Sequence, residues 1–465
     1  MRTAAILTRA FYADSAPDLI LPHILRQVAN VQVARIFASC SAQHALFLST
    51  DNNVYAYGEN VQGQYGISNG KVALTEPVRL ERNAFVPQLS SNDRVIAAAV
   101  GGAHSLIVTA NGSVYAAGDN SMGQCGISGA AHISPFRRLA KFDSPVQEAA
   151  CGVDFSLVRT SDGLVYGMGS AAYGQLGTGE YGVVFNSPEP SFVAHHAPVQ
   201  VKLPPVVQIA CGMHHSVAVD AEGYAYAWGA GSYGRLGTGS QLDCHTPVRL
   251  QQFARKNRQD RVRAVAAGNS ATAVIDQRQR LWVVGRWRVH GSGGFTEHYQ
   301  IFRPLPELHE KEVRAVALGA DSMHCIASNK RGTSAHVYGW GELAAHGVLG
   351  MGPAAPPADP TICPALENVG VIQVAAGMHT VYWLTQPSGS AYSELLRFPE
   401  RIESPSTCVA CGKGDPSDST LLECDRCESP YHLACLKPPL EAIPDGEWLC
   451  EQCIAQARKK RRVHS

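Results

Sequence analysis

One motif recurs seven times in the first 385 residues, and it limits what this chain can fold into. A small-residue step, often closed by His, leads into an apolar run. The copies are Ser41-Ala-Gln-His44, Gly101-Gly-Ala-His104, Gly152-Val-Asp-Phe155, Gly212-Met-His-His215, Gly268-Asn-Ser-Ala271, Gly319-Ala-Asp-Ser322 and Gly377-Met-His-Thr380. Successive anchors lie 51 to 60 residues apart. A fixed period of this length marks propellers and arrays, whose units bury their faces only against one another. Each copy continues alike. A β-type run such as Ser105-Leu-Ile-Val-Thr109 meets a hairpin signal: Asn111-Gly112, Asp162-Gly163 or Glu222-Gly223. An aromatic strand ending in Gly follows, as in Tyr55 to Gly58 and Tyr226 to Gly229. Next come Gly63-Gln-Tyr-Gly66, Gly123-Gln-Cys-Gly126, Gly174-Gln-Leu-Gly177 and Gly234-Arg-Leu-Gly237. A Pro-bearing edge such as Thr246-Pro247-Val248 closes the copy.

Each unit therefore reads as a small antiparallel sheet, and radial stacking of such sheets makes a β-propeller. The seventh copy stops after Val381-Tyr-Trp-Leu-Thr385. The N-terminus supplies what it lacks: Ala4 to Phe11 as the aromatic-type strand, and Leu19 to Leu25 as the edge. The expected fold is all-β, a seven-bladed propeller over residues 1–385 whose last blade is closed by N-terminal strands. That use of the first residues argues against a cleaved leader. Composition agrees. The 44 glycines and only 17% charged residues suit tight turns and exclude disorder. Lys+Arg and Asp+Glu balance at 39 each, so the whole chain has no strong pull on polyanions. No stretch approaches the ~20 apolar residues of a membrane span.

The Gly-x-x-His, Tyr-x-x-Gly and Gly-Gln-x-Gly steps together resemble the regulator of chromosome condensation family of seven-bladed propellers. The resemblance is poorest in blades five and six, where Trp282 replaces Tyr and Gly291-Ser-Gly-Gly294 replaces the glutamine step. The founding member is a nucleotide exchange factor for the small GTPase Ran. The resemblance places candidate partner contacts at His44, His104, Asp154, His214, His215 and His379; the alternative is that these side chains hydrogen-bond a neighbouring blade. The founding member also carries a β-wedge in an early blade. No counterpart follows Tyr115 to Gly118, and the longest insertion runs from about Gly179 to Gln200. It is either a functional loop or a tolerated excursion.

Residues 386–405, with Gln-Pro-Ser-Gly-Ser, read as a linker. Seven of the 14 cysteines then crowd into the end of the chain. Cys408, Cys411, Cys424, Cys427, His432, Cys435, Cys450 and Cys453 are spaced Cys-x2-Cys-x12-Cys-x2-Cys-x4-His-x2-Cys-x14-Cys-x2-Cys. So short and polar a segment buries too little apolar surface to fold alone, and zinc held by thiolate and imidazole is the natural organiser. The other seven cysteines stand singly and read as buried thiols in a reducing compartment.

Ligand order, spacing and Trp448, two residues before Cys450, resemble the plant homeodomain (PHD) finger over residues 406–456. The resemblance implies two structural zinc ions in a cross-brace. Cys408, Cys411, His432 and Cys435 would hold one, and Cys424, Cys427, Cys450 and Cys453 the other. It further implies docking of a histone three N-terminal tail as an added strand along Leu421, Leu422 and Glu423. The turn Pro444, Asp445 and Gly446 would receive the peptide's amino group. Wall positions for a trimethyl-lysine cage fall on Thr407, Gly412 to Glu423 and Pro430, with no aromatic among them. Asp425 instead offers a carboxylate to the unmodified lysine at the tail's fourth position. Arg458, Lys459, Lys460, Arg461 and Arg462 form a basic tail over 457–465, suited to nuclear import and to weak DNA-backbone contact.

The expected protein is a nuclear, non-enzymatic chromatin binder whose propeller is a protein-interaction platform. One alternative is an exchange factor for a Ran-like GTPase, targeted to chromatin by its finger. Another is a scaffold whose finger binds a different protein or a phosphoinositide.

Overall fold

The computed structural model describes residues 4–9, 19–25, 32–67, 73–90, 93–184, 191–254, 257–286, 299–330, 335–341, 348–351, 357–386, 396–398, 408–413, 421–423, 430–440, 448 and 450–451. The chain divides into two compact units, Met1–Phe398 and Pro399–Ser465.

The first unit is a β-propeller. Six blades are cut from contiguous chain, each a sheet whose strands run in sequence from the inside outward. Blade one comprises Val33–Phe37, His44–Ser49, Val54–Glu59 and Ala73–Arg79. Blades two to six follow from Val95–Val100, Val146–Cys151, Val206–Cys211, Val262–Ala267 and Lys311–Leu318 as their innermost strands. Blade two gains a fifth strand, Phe85–Val86, parallel to His132–Arg138. One further sheet is composite. Gly370–Ala376 and Thr380–Gln386 pair in order with Ala4–Arg9, Leu19–Leu25 and Leu396–Phe398.

The expected count of seven blades is thus corrected to six, beside a composite sheet that the N-terminal strands complete. Six blades are self-contained, and the seventh repeat makes only two strands before the chain leaves its pattern. The ladder is completed by register pairs from Ala4↔Thr385 to Arg9↔Thr380. The boundary at 385 also falls short, because Leu396–Phe398 lies within the span read as linker yet runs parallel to Leu19–Leu25. So brief an apolar stretch, set among Ser, Gly and Pro, carries no periodicity to read.

Burial follows the pleat. The second strand of each contiguous blade is buried along nearly its whole length, as in His44–Ser49 and His104–Thr109. Blade faces then pack on each other. Phe47, Tyr57, Ala375, Tyr382 and Leu384 form one cluster between blade one and the composite sheet. Ile326, Val337, Val374 and Trp383 form another between blade six and the composite sheet. All of these innermost strands, from Arg35–Cys40 round to Gln373–Ala376, line one cavity of about 270 Å3. Gln373 clasps blade one there: Nε2 donates to Ile36 O at 2.7 Å and Oε1 accepts from Ile36 N at 3.1 Å. Gln208 holds Val265 in the same way, at 3.2 Å both ways. Each amide satisfies one donor and one acceptor of a neighbouring strand, which buried backbone requires.

The glycine steps have a steric cause. The rings of His104, Phe155 and His215 fold back over the glycines three residues before them, Gly101, Gly152 and Gly212. A Cβ on Gly101 would stand 2.1 Å from His104 Cε1, and one on Gly152 would stand 1.9 Å from Phe155 Cε1. At the end of the aromatic strand Gly118 adopts φ +108°, with Ala103 O 2.3 Å from any added Cβ. A side chain at Gly101 or Gly152 would collide with its ring, and Gly118 also needs the left-handed backbone that glycine adopts readily. The seven single cysteines are free thiols, and all but Cys244 are buried. Burial pushes Cys40 and Cys151 up to about 12, which leaves them unreactive. No described helix is long and apolar enough to cross a membrane.

Candidate functional sites: a metal centre and a propeller face

In the second unit the strand Leu421–Glu423 pairs with Pro430–His432, bringing Leu421 opposite His432 and Glu423 opposite Pro430. A tight knuckle precedes them. Gly412, at φ +67°, lets its amide reach Cys408 O at 2.8 Å, and Cys408 N bonds Lys413 O at 3.0 Å. A short 3-10 turn, Leu433–Cys435, follows the second strand. Knuckle, strand end and turn converge four side chains. The ligand atoms of Cys408, Cys411, His432 and Cys435 all lie within 4.8 Å of one another.

The donor set fits zinc. His432 Nδ1 stands 3.4 Å from Cys411 Sγ and 3.8 Å from Cys435 Sγ. A tetrahedron with Zn–S and Zn–N bonds of ordinary length has S···N edges of about 3.5 Å. His432 N also donates to Cys408 Sγ at 3.3 Å. Burial alone would raise the Cys408 thiol. Backbone amides of His432, Cys411 and Ala410 outweigh it and hold the group at about 6, ready as a thiolate ligand. Four protein ligands leave no open coordination position, so an ion held here would be structural. Of the other expected ligands, Cys450 is buried, while Cys424, Cys427 and Cys453 lie outside the described residues. Asp425, Pro444, Asp445, Gly446 and the basic residues 458–462 lie outside them too. Trp448 is half-buried, with its ring edge-on to Tyr431 at 5.6 Å, so it packs rather than ligates.

The six propeller positions separate into two groups. His44, His104 and His215 are at most 1% exposed. Their Nε2 atoms meet hydroxyls of the next blade: Ser105 at 2.9 Å, Ser156 at 2.8 Å and Thr272 at 2.8 Å. Ser156 Oγ donates to Gln124 O, and Thr272 Oγ1 to Arg235 O. Those hydroxyls must therefore accept from the imidazole, which fixes His104 and His215 as neutral Nε2–H tautomers. These three histidines tie blades together. This is the alternative of a hydrogen bond to a neighbouring blade, and its sequence signal is a hydroxyl residue just after the next anchor, at Ser105, Ser156 and Thr272. His324 is a further buried histidine, outside the anchor positions. It is fully buried two residues past its anchor, edge-on to Trp383 at 6.0 Å.

Asp154, His214 and His379 are partly exposed. Burial raises the Asp154 carboxyl, opposed by bonds from Ser170 and Gln175. Burial and then the nearby Arg235 charge push His214 down to about 4, with its ring 5.1 Å from Tyr173. The blade-three insertion holds a small hairpin, Val183–Val184 against Ser191–Phe192. Tyr181, Val183 and Phe192 are exposed on or beside it.

A family model described as the RCC1-like domain matches residues 12–382. The chain belongs to the RCC1-like domain family. A PHD-finger model matches residues 408–453, the segment that holds the four-ligand cluster. Human protein RCC2 is 26% identical over 414 residues, spanning 84% of this RCC1-like chain and 75% of its own length. The Xenopus laevis homologue of RCC2 is 27% identical over 363 residues, spanning 74% and 66%. Among solved structures, human WBSCR16 superposes with a TM-score of 0.67 at 21% identity, covering 83% of this chain and 99% of its own. Yeast RCC1 (Prp20), solved bound to Kap60, gives 0.70 at 19% identity, covering 84% and 91%. These likenesses share the RCC1-like propeller fold, and the finger follows it here.

Proposed function

We propose that this RCC1-like protein is a nuclear chromatin-binding protein whose finger reads the N-terminal tail of histone three with its fourth-position lysine unmodified. The observation that carries the reading is a strand edge beside the metal centre. Among the described residues, Leu421–Glu423 is laddered on one side only, by Pro430–His432. An extended peptide adds to such an edge through its main chain. Asp425 would pair with the lysine ammonium, and Pro444 to Gly446 would take the peptide's free amine. A yeast relative, Prp20p, was studied for its binding to Gsp1p and histones, which agrees with a chromatin role. The second ion, held by Cys424, Cys427, Cys450 and Cys453, and closure of the propeller ring through its composite sheet belong to the same proposal.

Titrating the full chain with an unmodified histone-three tail peptide and its trimethylated form tests it. The unmodified peptide is expected to bind tighter, and Asp425→Ala should weaken it by about 1–3 kcal/mol. Equal affinity of variant and parent removes Asp425 from the site. Absence of binding to either peptide overturns the histone reading.

A second reading is exchange of nucleotide on a Ran-like GTPase, with the propeller as the active surface. The blade-three hairpin with exposed Tyr181 and Phe192 favours it, because the family's founding member carries a β-wedge in an early blade. Release of labelled nucleotide from Ran should then be accelerated by the full chain and lost in Phe192→Ala. No acceleration by the parent protein dismisses this reading.

A further inference from the structure

The fourth blade breaks the glutamine rule of its siblings. Gln64, Gln124 and Gln175 each turn a side-chain oxygen onto the amide two residues earlier, at 2.9, 2.9 and 2.8 Å. Blade four has Arg235 in that place, and a guanidinium has no acceptor to offer. The turn is rebuilt around it. Ser232–Gly234 becomes a 3-10 turn, Tyr233 takes φ +64°, and the guanidinium donates to Ser232 O at 2.8 Å and Asn269 O at 2.9 Å. A left-handed tyrosine is strained backbone, and such strain gathers at functional places.

A second guanidinium comes to the same ring. Arg286, just past the third strand of blade five (Leu281–Gly285), sits 4.3 Å from the Tyr233 centroid, and Arg235 sits 5.5 Å from it. Arg235 is only 6% exposed, while Arg286 is half-buried and Ser232 open to solvent. Neither arginine has a carboxylate within ion-pair distance among the described residues. The surrounding charges do not change this. Asp243 is felt by Arg235 but spends Oδ1 on Gly231 N at 2.8 Å, Asp321 faces both Arg286 and His379, and His214 adjoins Arg235. A guanidinium as buried as Arg235, with no carboxylate in ion-pair contact among the described residues, is costly, and the second guanidinium beside it completes a preformed cationic pocket.

We propose that Arg235, Tyr233 and Arg286, at the seam of blades four and five, form an oxyanion-binding site for a carboxylate or phosphate group carried by a ligand of the propeller. The tyrosine face positions the guanidinium planes, and Arg235, whose Nε and Nη1 bond Ser232 O and Asn269 O, presents Nη2 to the site beside the Arg286 guanidinium. Guanidinium forks match the two oxygens of such a group. The site is independent of what the finger binds.

The test uses the full chain and two probes, inorganic phosphate and acetate, titrated by calorimetry at constant ionic strength set with sodium chloride. Saturable binding of one of them is expected, and the preferred one tells a phosphorylated ligand from an acidic side chain. Arg235→Gln restores the residue that three sibling blades use, so the propeller is expected to melt as before. It and Arg286→Gln should each weaken the preferred anion by about tenfold, the loss of one charge-assisted contact. Unchanged affinity in both variants, or no saturable binding of either anion by the parent, overturns the proposal.

Discussion

Chelation of zinc is expected to unfold the second unit of this protein and leave the propeller melting as before. The reason is a difference in what holds each part. The propeller has continuous clusters of buried side chains between its blades. The described residues of the second unit offer Cys408, Leu422 and Cys450 as their buried hydrophobic positions. Binding of a structural zinc contributes on the order of 10 kcal/mol or more to folding such a segment. Its removal therefore exceeds any margin the unit has by itself. Differential scanning calorimetry with and without chelator should lose one transition, and proteolysis should then cut beyond Phe398 alone. Elemental analysis should find two ions per chain. His432→Ala should release at least one, because Nδ1 lies between Cys411 and Cys435. A second unit that stays protected after complete chelation would show that something other than metal holds it.

Mild acid is expected to destabilise the propeller steeply. His44, His104, His215 and His324 are buried neutral. Burial pushes His44 and His324 down to about 3, His104 to about 4, and His215 well below its ordinary value. The unfolded chain titrates each near 6.5. A depressed histidine gives the folded state its full stability above that value, and the advantage falls as pH drops toward the folded pKa. At about pH 5 each such group has withdrawn about 2 kcal/mol relative to neutral pH. The structure shows why the folded state resists the proton. A second N–H would appear at Nδ1 of His104 and His215, which has no acceptor. Melting followed from pH 7.5 to 5 should show the propeller transition moving down throughout. His104→Gln should be less stable at neutral pH and shallower in its dependence on acid. A flat profile across that range would mean these rings are not what couples stability to protons.

Much of this was written into the repeat. The period gave the sheets, because each copy carries its own hairpin glycine and its own apolar strands. The end-to-end sheet was legible because the seventh copy visibly lacked strands that the first residues could supply. The metal ligands were legible because thiol spacing is a covalent fact that packing cannot disguise. What resisted was direction. Gly-x-x-His reads the same whether the ring points to solvent or into the next blade. Only the hydroxyls at Ser105, Ser156 and Thr272 decide, and they sit a full repeat away. Leu396–Phe398 resisted for a different reason: three residues recruited by an existing edge need no pattern of their own. The hairpin in the blade-three insertion is likewise set by pairing of two-residue strands, too short for any periodicity to announce.

The composite sheet gives this protein a vulnerable interval during its manufacture. Ala4–Arg9 leaves the ribosome early, and its ladder partner Thr380–Gln386 is among the last propeller segments to be made. Until then one side of that strand is an unfilled template, open to any nascent chain on the same message. The longer the intervening six blades take to be made, the longer that edge stays open.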